Sequence, residues 1–377
     1  MLEVLDPWIP PIDPTHPAAP GPVAFRLTIR DDHVAALEPR FDLVHRGVEK
    51  LFESRDLRQC LVLADRHDWH GAFNSELGLA LLLENALGIE TPDRAQWLRT
   101  LLAELTRAIH GVHWLTETLA DETAGPSDAL VAAARQGRGR MVDDLESISG
   151  GRMHPMINQP GGLRSDATDG WLSRVSESAA GANRALAELA DWLDSSDGRD
   201  RWRNLAVLPT ELALEFVATG VVARASGLST DLRLDRPYCR YGDLADSGAL
   251  HLPRLAETVT GDAWSRLTQL AAETRVSLTC VTSCAAQLKG SDGPISVRLP
   301  RTWRIPEGEY HYSTEGPTGV NSWFLVSRGG SRPRRLKIVS ASFANARALC
   351  AAMIGARSDQ LRPMVLSSML VAGDLGR

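Results

Sequence analysis

Residues 87–107 read LGIETPDRAQWLRTLLAELTR, and this stretch sets the fold class. Thr91 is placed to cap a helix, Pro92 stands at the first helical position where a missing N–H costs nothing, and Asp93 favours the positive helix end. Apolar residues then recur at three- and four-residue spacing as far as Leu119, the period of an amphipathic helix, until Gly125-Pro126 stops it. The same period governs residues 42–53, 74–87, 128–149 (closed by Gly150-Gly151), 171–192, 209–216 and 261–288. Strand signals lie near the two ends. Residues 25–29 and 34–37 flank the turn Arg30-Asp31-Asp32, and residues 323–327 and 335–339 flank Gly329-Gly330. Residues 228–249 read as loop. Seven of the first 22 residues are proline, which predicts an extended, irregular segment. The expected architecture is mainly α with small β-hairpins near the N- and C-terminal ends (α+β), built on a helix-bundle core. Residues 1–22 form a Pro-rich arm in this reading, and residues 23–377 a single domain.

The 377 residues are 44% hydrophobic and 23% charged, the balance of an ordinary globular chain able to bury a large core. A net charge of −6 argues against nucleic acid as a partner, and the one basic run, Arg332 to Lys337, reads as a solvated turn. No run approaches the roughly 18 to 20 apolar residues of a membrane helix. The N-terminus has acids and prolines where a signal peptide needs a basic start. Any membrane attachment is therefore expected through partners. Five cysteines, an odd number without a CxxC, point to free thiols in a reducing compartment. Cys280 and Cys284 share a helix face but are too few to enclose zinc or an iron–sulfur cluster.

The chain has no GxGxxG after a strand, no GxxxxGK[ST], no GxSxG and no HExxH, so no dinucleotide, triphosphate or hydrolase motif is present. Histidines cluster instead. His67 and His70 flank Trp69, while His110 and His113 are spaced to share one helix face. These pairs are either polar supports or four imidazoles for a metal, and the second needs a proximity that the sequence does not fix. Arg66 and Asp68, two apart before a helix, are expected to lock their loop by a charge-assisted bond.

Several blocks resemble a known family. They are HRGVEKLFESRDLRQ (45–59), RHDWHGAFNSE (66–76), the 87–107 stretch, SGGRMHP (149–155) with Gly161-Gly162, LPTELAL (208–214), RASGLSTDLRLDRPYCRY (224–241), EGPTG (315–319), WFLVSRGG (323–330), Ser342-Phe343 and the terminal Arg377. In order and spacing they are similar to the D-type subunit of bacterial NADH:quinone oxidoreductase, the respiratory complex I. That iron-free subunit is itself related to the large subunit of nickel–iron hydrogenases. The resemblance runs from His16 to the last residue.

That resemblance implies a hydrogenase large-subunit-like core, docked on a partner that carries the terminal [4Fe–4S] cluster, with a quinone head as substrate between them. Arg46 matches an arginine beside that cluster, and His154 a histidine whose protonation follows cluster reduction. Asp121 matches an acid of the quinone cavity, and Arg66 and Asp68 belong to the loop beside it. Two ligands depart from the family. The His of His-Pro-x-x-His-Gly is Pro20 here, and the Tyr of Arg-x-Asp-Tyr is Trp69. Proline has no side-chain donor and indole a single N–H, so both groups expected to protonate a reduced quinone are replaced. Other departures are Gly111 for a helix His, Arg138-Gly139 for Arg-Glu, Val320 for a Glu and Gly376-Arg377 for Asp-Arg.

Nickel is not expected, because residues 68–71 and 371–374 lack the two CxxC motifs of the hydrogenases. The chain itself is expected to bind no cofactor. Two functions remain open. One is a subunit of a membrane-attached complex on the cytoplasmic side, passing electrons to quinone with coupled ion movement in membrane subunits. The other is a non-catalytic assembly or coupling paralogue.

Overall fold

The computed structural model describes residues 2–120, 125–252, 260–300 and 303–377, with side chains from residue 10 onward. Strands β1 (Leu2–Ile9), β2 (Ala24–Arg30) and β3 (His33–Arg40) form an antiparallel sheet in the order β1-β2-β3. The β2–β3 hairpin is the expected one, while β1 replaces part of the irregular arm foreseen for residues 1–22. Its pairing with β2 shifts register between Leu5 and Ile9, the stretch that contains Pro7. An edge strand tolerates proline at such an irregularity because no partner needs its missing N–H.

Helix α1 (Val48–Glu53) is shorter than the periodicity suggests, since Gly47 takes a left-handed conformation (φ 61°) immediately before it. Helix α2 (Leu57–Leu63) opens on a reciprocal capping box between Asp56 and Gln59, which satisfies two backbone donors. Helices α3 (Ala72–Leu87), α4 (Asp93–Ala120), α5 (Asp128–Ser149) and α6 (Asp169–Asp194) follow, and Ala263–Leu288 forms α7. α7 packs on α4 and α6, and α5 packs on the same two helices. Gly111 allows the α4–α7 approach: a Cβ there would stand 2.1 Å from Thr274 Oγ1. The stretch read as loop, 228–249, contains the short helices Leu232–Asp235 and Tyr241–Asp246.

Near the C-terminus β4 (Gly308–Gly316), β5 (Gly319–Ser327) and β6 (Arg335–Val339) form a second antiparallel sheet. Only the last part of β5 and all of β6 carried a strand signal. Arg335 of the basic run is paired with Glu49 and Glu53 of α1 at 2.7 and 2.9 Å, so that end of the run is a clasp rather than a free turn. Helix α8 (Ala341–Ala352) and short turns to Ala372–Leu375 complete the chain.

Helix α3 is the hinge of this arrangement. Phe73 and Leu77 enter the core of the long-helix bundle, while Leu79, Leu82 and Leu83 enter a second core with Trp323, Leu325 and Ile338 of the C-terminal sheet. A helix apolar on all sides must be covered on all sides. The loop that feeds it, residues 64–71, is therefore fixed where bundle, C-terminal sheet and N-terminal arm meet.

Candidate functional site

Trp69 stands at that junction, half-buried. Pro20, buried on the N-terminal arm, accepts a hydrogen bond at its carbonyl from the Ala372 N–H (2.7 Å). A Cβ on Gly21 would lie 3.2 Å from Trp69 Cζ2, and one on Gly373 would lie 2.7 Å from Trp69 Cζ3 and 2.2 Å from the His67 carbonyl oxygen. Glycine at both positions lets arm, loop and C-terminus close around the indole. Pro20 and Trp69, the two positions expected to replace quinone ligands, are thus brought to one junction, although 49 residues separate them in sequence.

The loop is held from beneath. His67 Nδ1 lies 2.7 Å from Asp374 Oδ1, and its Nε2 lies 2.6 Å from Ser75 Oγ. This has the connectivity of a Ser–His–Asp triad, but all three residues are buried and Ser75 also donates to the Ala64 carbonyl (2.9 Å). Because the Ser75 hydroxyl hydrogen goes to Ala64 and not to His67, the set acts as a clamp between loop and C-terminus and not as a nucleophile. Asp68 does not pair with Arg66 as expected. Its Oδ1 accepts the N–H groups of His70 and Gly71 at 3.1 and 2.8 Å, a local turn that a short carboxylate makes more readily than a long-range ion pair.

Arg66 turns the other way, to Asp65 (3.2 Å). Asp65 is buried and also lies 3.1 Å from His154 Nδ1. Arg46 donates to the Arg66 carbonyl oxygen at 2.6 Å. Arg46, Arg66 and His154 therefore share one face, three residues from Trp69 along the loop. Arg46 also lines a surface groove of about 710 Å³ with Lys50, Glu53 and Arg334. Asp121 lies outside the described residues.

The histidines come together in part. His70 Nδ1 and His110 Nδ1 are 2.9 Å apart, so one ring holds its proton there and the other accepts. His113 Nε2 lies 3.2 Å from the Pro17 carbonyl oxygen, while His67 belongs to the clamp. Among the described residues no group of three or more His, Cys, Asp or Glu side chains could hold a metal. The five cysteines are free thiols, and burial pushes those of Cys60, Cys239 and Cys350 up to about 12. Among the described residues no helix is long and apolar enough to cross a membrane.

Sequence reading missed a buried ionic network. Arg233 pairs with Asp231 (2.8 Å) and Glu104 (3.2 Å), and Arg224 pairs with Glu273 (2.6 Å) and Glu315 (3.0 Å). Arg107 donates to the carbonyl oxygens of Glu315 and Gly316, both at 2.6 Å. The available signal was Glu104 and Arg107, spaced at i, i+3 inside the apolar run of α4. The network ties α4, α7 and the 224–241 segment to the turn at the end of β4.

Three buried groups make stability depend on pH. Burial and Asp374 push the Asp68 carboxyl up to about 7, and burial and Asp65 push Glu76 up to about 8. Burial and His113 push His70 down to about 3. Folded Asp68 and Glu76 keep protons that the unfolded chain releases near pH 4, so stability falls as pH rises from there towards 7 and 8. His70 binds its proton in the unfolded chain below about 6.5 but not in the fold, so stability rises with pH between about 3 and 6.5. Glu76→Gln is expected to flatten the alkaline fall, read as the urea midpoint from about pH 5 to 9. An unchanged slope would show that Glu76 ionises freely in the fold.

A family model described as "Respiratory-chain NADH dehydrogenase, 49 Kd subunit" matches residues 127–303 and 297–377. The chain is 38% identical to the second D-type subunit of NADH-quinone oxidoreductase in Salinispora tropica, over 97% of this chain and 92% of that one. It is 37% identical to the first D-type subunit of the same enzyme in Streptomyces coelicolor, over 97% and 94%. Against the D-type subunit of Carboxydothermus hydrogenoformans the identity is 30%, over 97% of both chains. At these identities and coverages the chain belongs to the 49 Kd, or D-type, subunit family of respiratory NADH dehydrogenases.

Proposed function

We propose that this chain works as the D-type component of a membrane-attached NADH:quinone oxidoreductase-like complex. Its Pro20–Trp69–Gly373 junction forms one wall of the quinone head-group site. Its Arg46–Arg66–His154 face docks on the partner that carries the terminal [4Fe–4S] cluster. Electrons reach quinone through that partner, ion movement occurs in membrane subunits, and the chain stays peripheral on the cytoplasmic side. One observation carries the reading: a single loop holds Asp65-Arg66, which gathers the cluster-side cations, and Trp69, which meets the arm. A group reduced at one end and a substrate bound at the other would lie on opposite sides of the same few residues. A cation near the cluster favours its reduced state, so protonation of His154 accompanies reduction.

A redox titration of the cluster in the purified complex tests the docking face. The midpoint potential is expected to fall with rising pH in the parent and to stay flat in His154→Leu. A variant that keeps the parent's slope puts His154 away from the cluster.

The second reading, a coupling component without quinone chemistry, is favoured by Pro20 and Trp69, which replace two side-chain proton donors. Quinone reduction by the intact complex separates the two. If Pro20→His with Trp69→Tyr creates an activity that the parent lacks, the second reading holds.

A further inference from the structure

Beside Trp69 the fold buries an arrangement that its clamp and turn do not require. His70, the next residue, is 5% exposed. Its ring meets His110 of α4 edge-on, with centroids 4.8 Å apart, and meets Trp114 edge-on at 5.4 Å. The two Nδ1 atoms are 2.9 Å apart, and His70 Nε2 is buried with no partner in the chain. His113, one turn further along α4, is half-buried and reaches the arm at Pro17. A buried imidazole with one nitrogen bonded and the other unpartnered carries a desolvation cost that packing alone would have avoided.

We propose that His70 and His110, refilled through His113, form a proton relay to the Trp69 site and replace the side-chain donors absent at Pro20 and Trp69. The inference rests on the quinone reading above. Reduction of a quinone to a quinol takes two electrons, delivered singly by the partner's iron–sulfur cluster, and two protons, one for each oxygen. The relay supplies one of these protons. A proton from the His113 side adds to His110 Nε2, the proton on His110 Nδ1 passes to His70 Nδ1, and His70 Nε2–H is given to the reduced oxygen. One proton enters and one leaves. Both rings remain neutral overall, end as the opposite tautomers, and reset by turning over.

The surroundings suit neutral relay members rather than fixed cations. Burial and the neighbouring imidazoles, with Arg138 of α5, hold His70 and His110 below the usual histidine range, and burial and Arg138 do the same for His113. Glu117 of α4, paired with Arg135 of α5 at 2.6 Å, and His16 of the arm stand at the outer end. Asp68 faces from the loop itself, through its bond to the His70 N–H.

The test uses the purified complex, with quinone reduction measured beside electron transfer to ferricyanide, an acceptor that needs no proton. His70→Gln and His110→Asn keep a polar side chain of similar size but cannot exchange tautomers. Each is expected to lower quinone turnover by about 10²-fold with KM unchanged, to enlarge the solvent deuterium isotope effect, and to leave ferricyanide reduction intact. His113→Gln, at the outer end, is expected to give a smaller loss that added imidazole restores. Variants that reduce quinone at the parent's rate, with its pH profile and isotope effect, overturn the relay and leave the quinone reading standing. A parent that reduces ferricyanide but no quinone overturns that reading and the relay with it. Should His70→Gln fail to assemble, His110→Asn and His113→Gln carry the same decision.

Discussion

Arg233→Met is expected to destabilise the chain by about 3–5 kcal/mol, the cost of leaving buried carboxylates without their partner. Arg233 is fully buried and holds Asp231 by two nitrogens, at 2.8 and 3.0 Å, and Glu104 by a third at 3.2 Å. Methionine fills much of the volume and satisfies neither acid. Among the described residues the network contains four carboxyls (Glu104, Asp231, Glu273, Glu315) and three guanidiniums (Arg107, Arg224, Arg233), one acid in excess. Burial alone would raise Glu104 and Asp231, but Arg107 and Arg233 hold Glu104 below its usual range. Arg233 and Arg224 do the same for Asp231. Glu315 goes the other way, raised by burial and by Asp231. The network can therefore best lose its excess negative charge at Glu315. It follows that Glu315→Gln should be tolerated while Arg233→Met is not. Urea unfolding followed by tryptophan fluorescence compares them, and equal midpoints for the two variants would refute the balance.

His67→Leu is expected to cost about 3 kcal/mol, because it removes a bond to a buried carboxylate and leaves Asp374 and Ser75 without that partner. Asp374 keeps the Ser342 hydroxyl at 3.1 Å, and Ser75 keeps the Ala64 carbonyl oxygen and the Asn321 amide, so the loss is less than total. The damage should be local. Asp374 belongs to the turn Ala372–Leu375, and the Ala372 N–H holds the arm at Pro20. Amide hydrogen exchange over residues 371–377 and around Pro20 should accelerate well before the bundle helices respond. Uniform acceleration across the chain would mean that His67 serves the global core rather than the junction.

Much of the helical architecture is present in local pattern. The 3.6-residue period and the end signals locate α4, α5 and α6 to within about two residues, because their apolar residues keep one helical period and glycine or polar residues follow them. The misses have particular causes. β1 runs through a proline that an edge strand can accommodate, and Gly47 breaks a periodic run by taking a left-handed turn. β4 is a strand whose pairing with β5 is decided across a tight glycine turn rather than by its own alternation. Among candidate site residues, Arg66 and Asp68 looked like a pair because they are close in sequence. The fold sends them to opposite sides of the loop.

The sequence by itself determined the helix-rich class and the likeness to the D-type subunits across nearly the whole chain, and it singled out Pro20 and Trp69 as candidate positions. These follow from residue identity and short-range periodicity, which act over a few turns of chain. Only the tertiary structure decided that Gly21, next to Pro20, meets Trp69, that His70 meets His110, and that Asp65 gathers Arg66 and His154 on one face. It also decided that four acids and three arginines share one buried network. Each of these is a contact between segments far apart in sequence. Their proximity is imposed by burial of α3 between two cores and by the need to satisfy every charge taken from water.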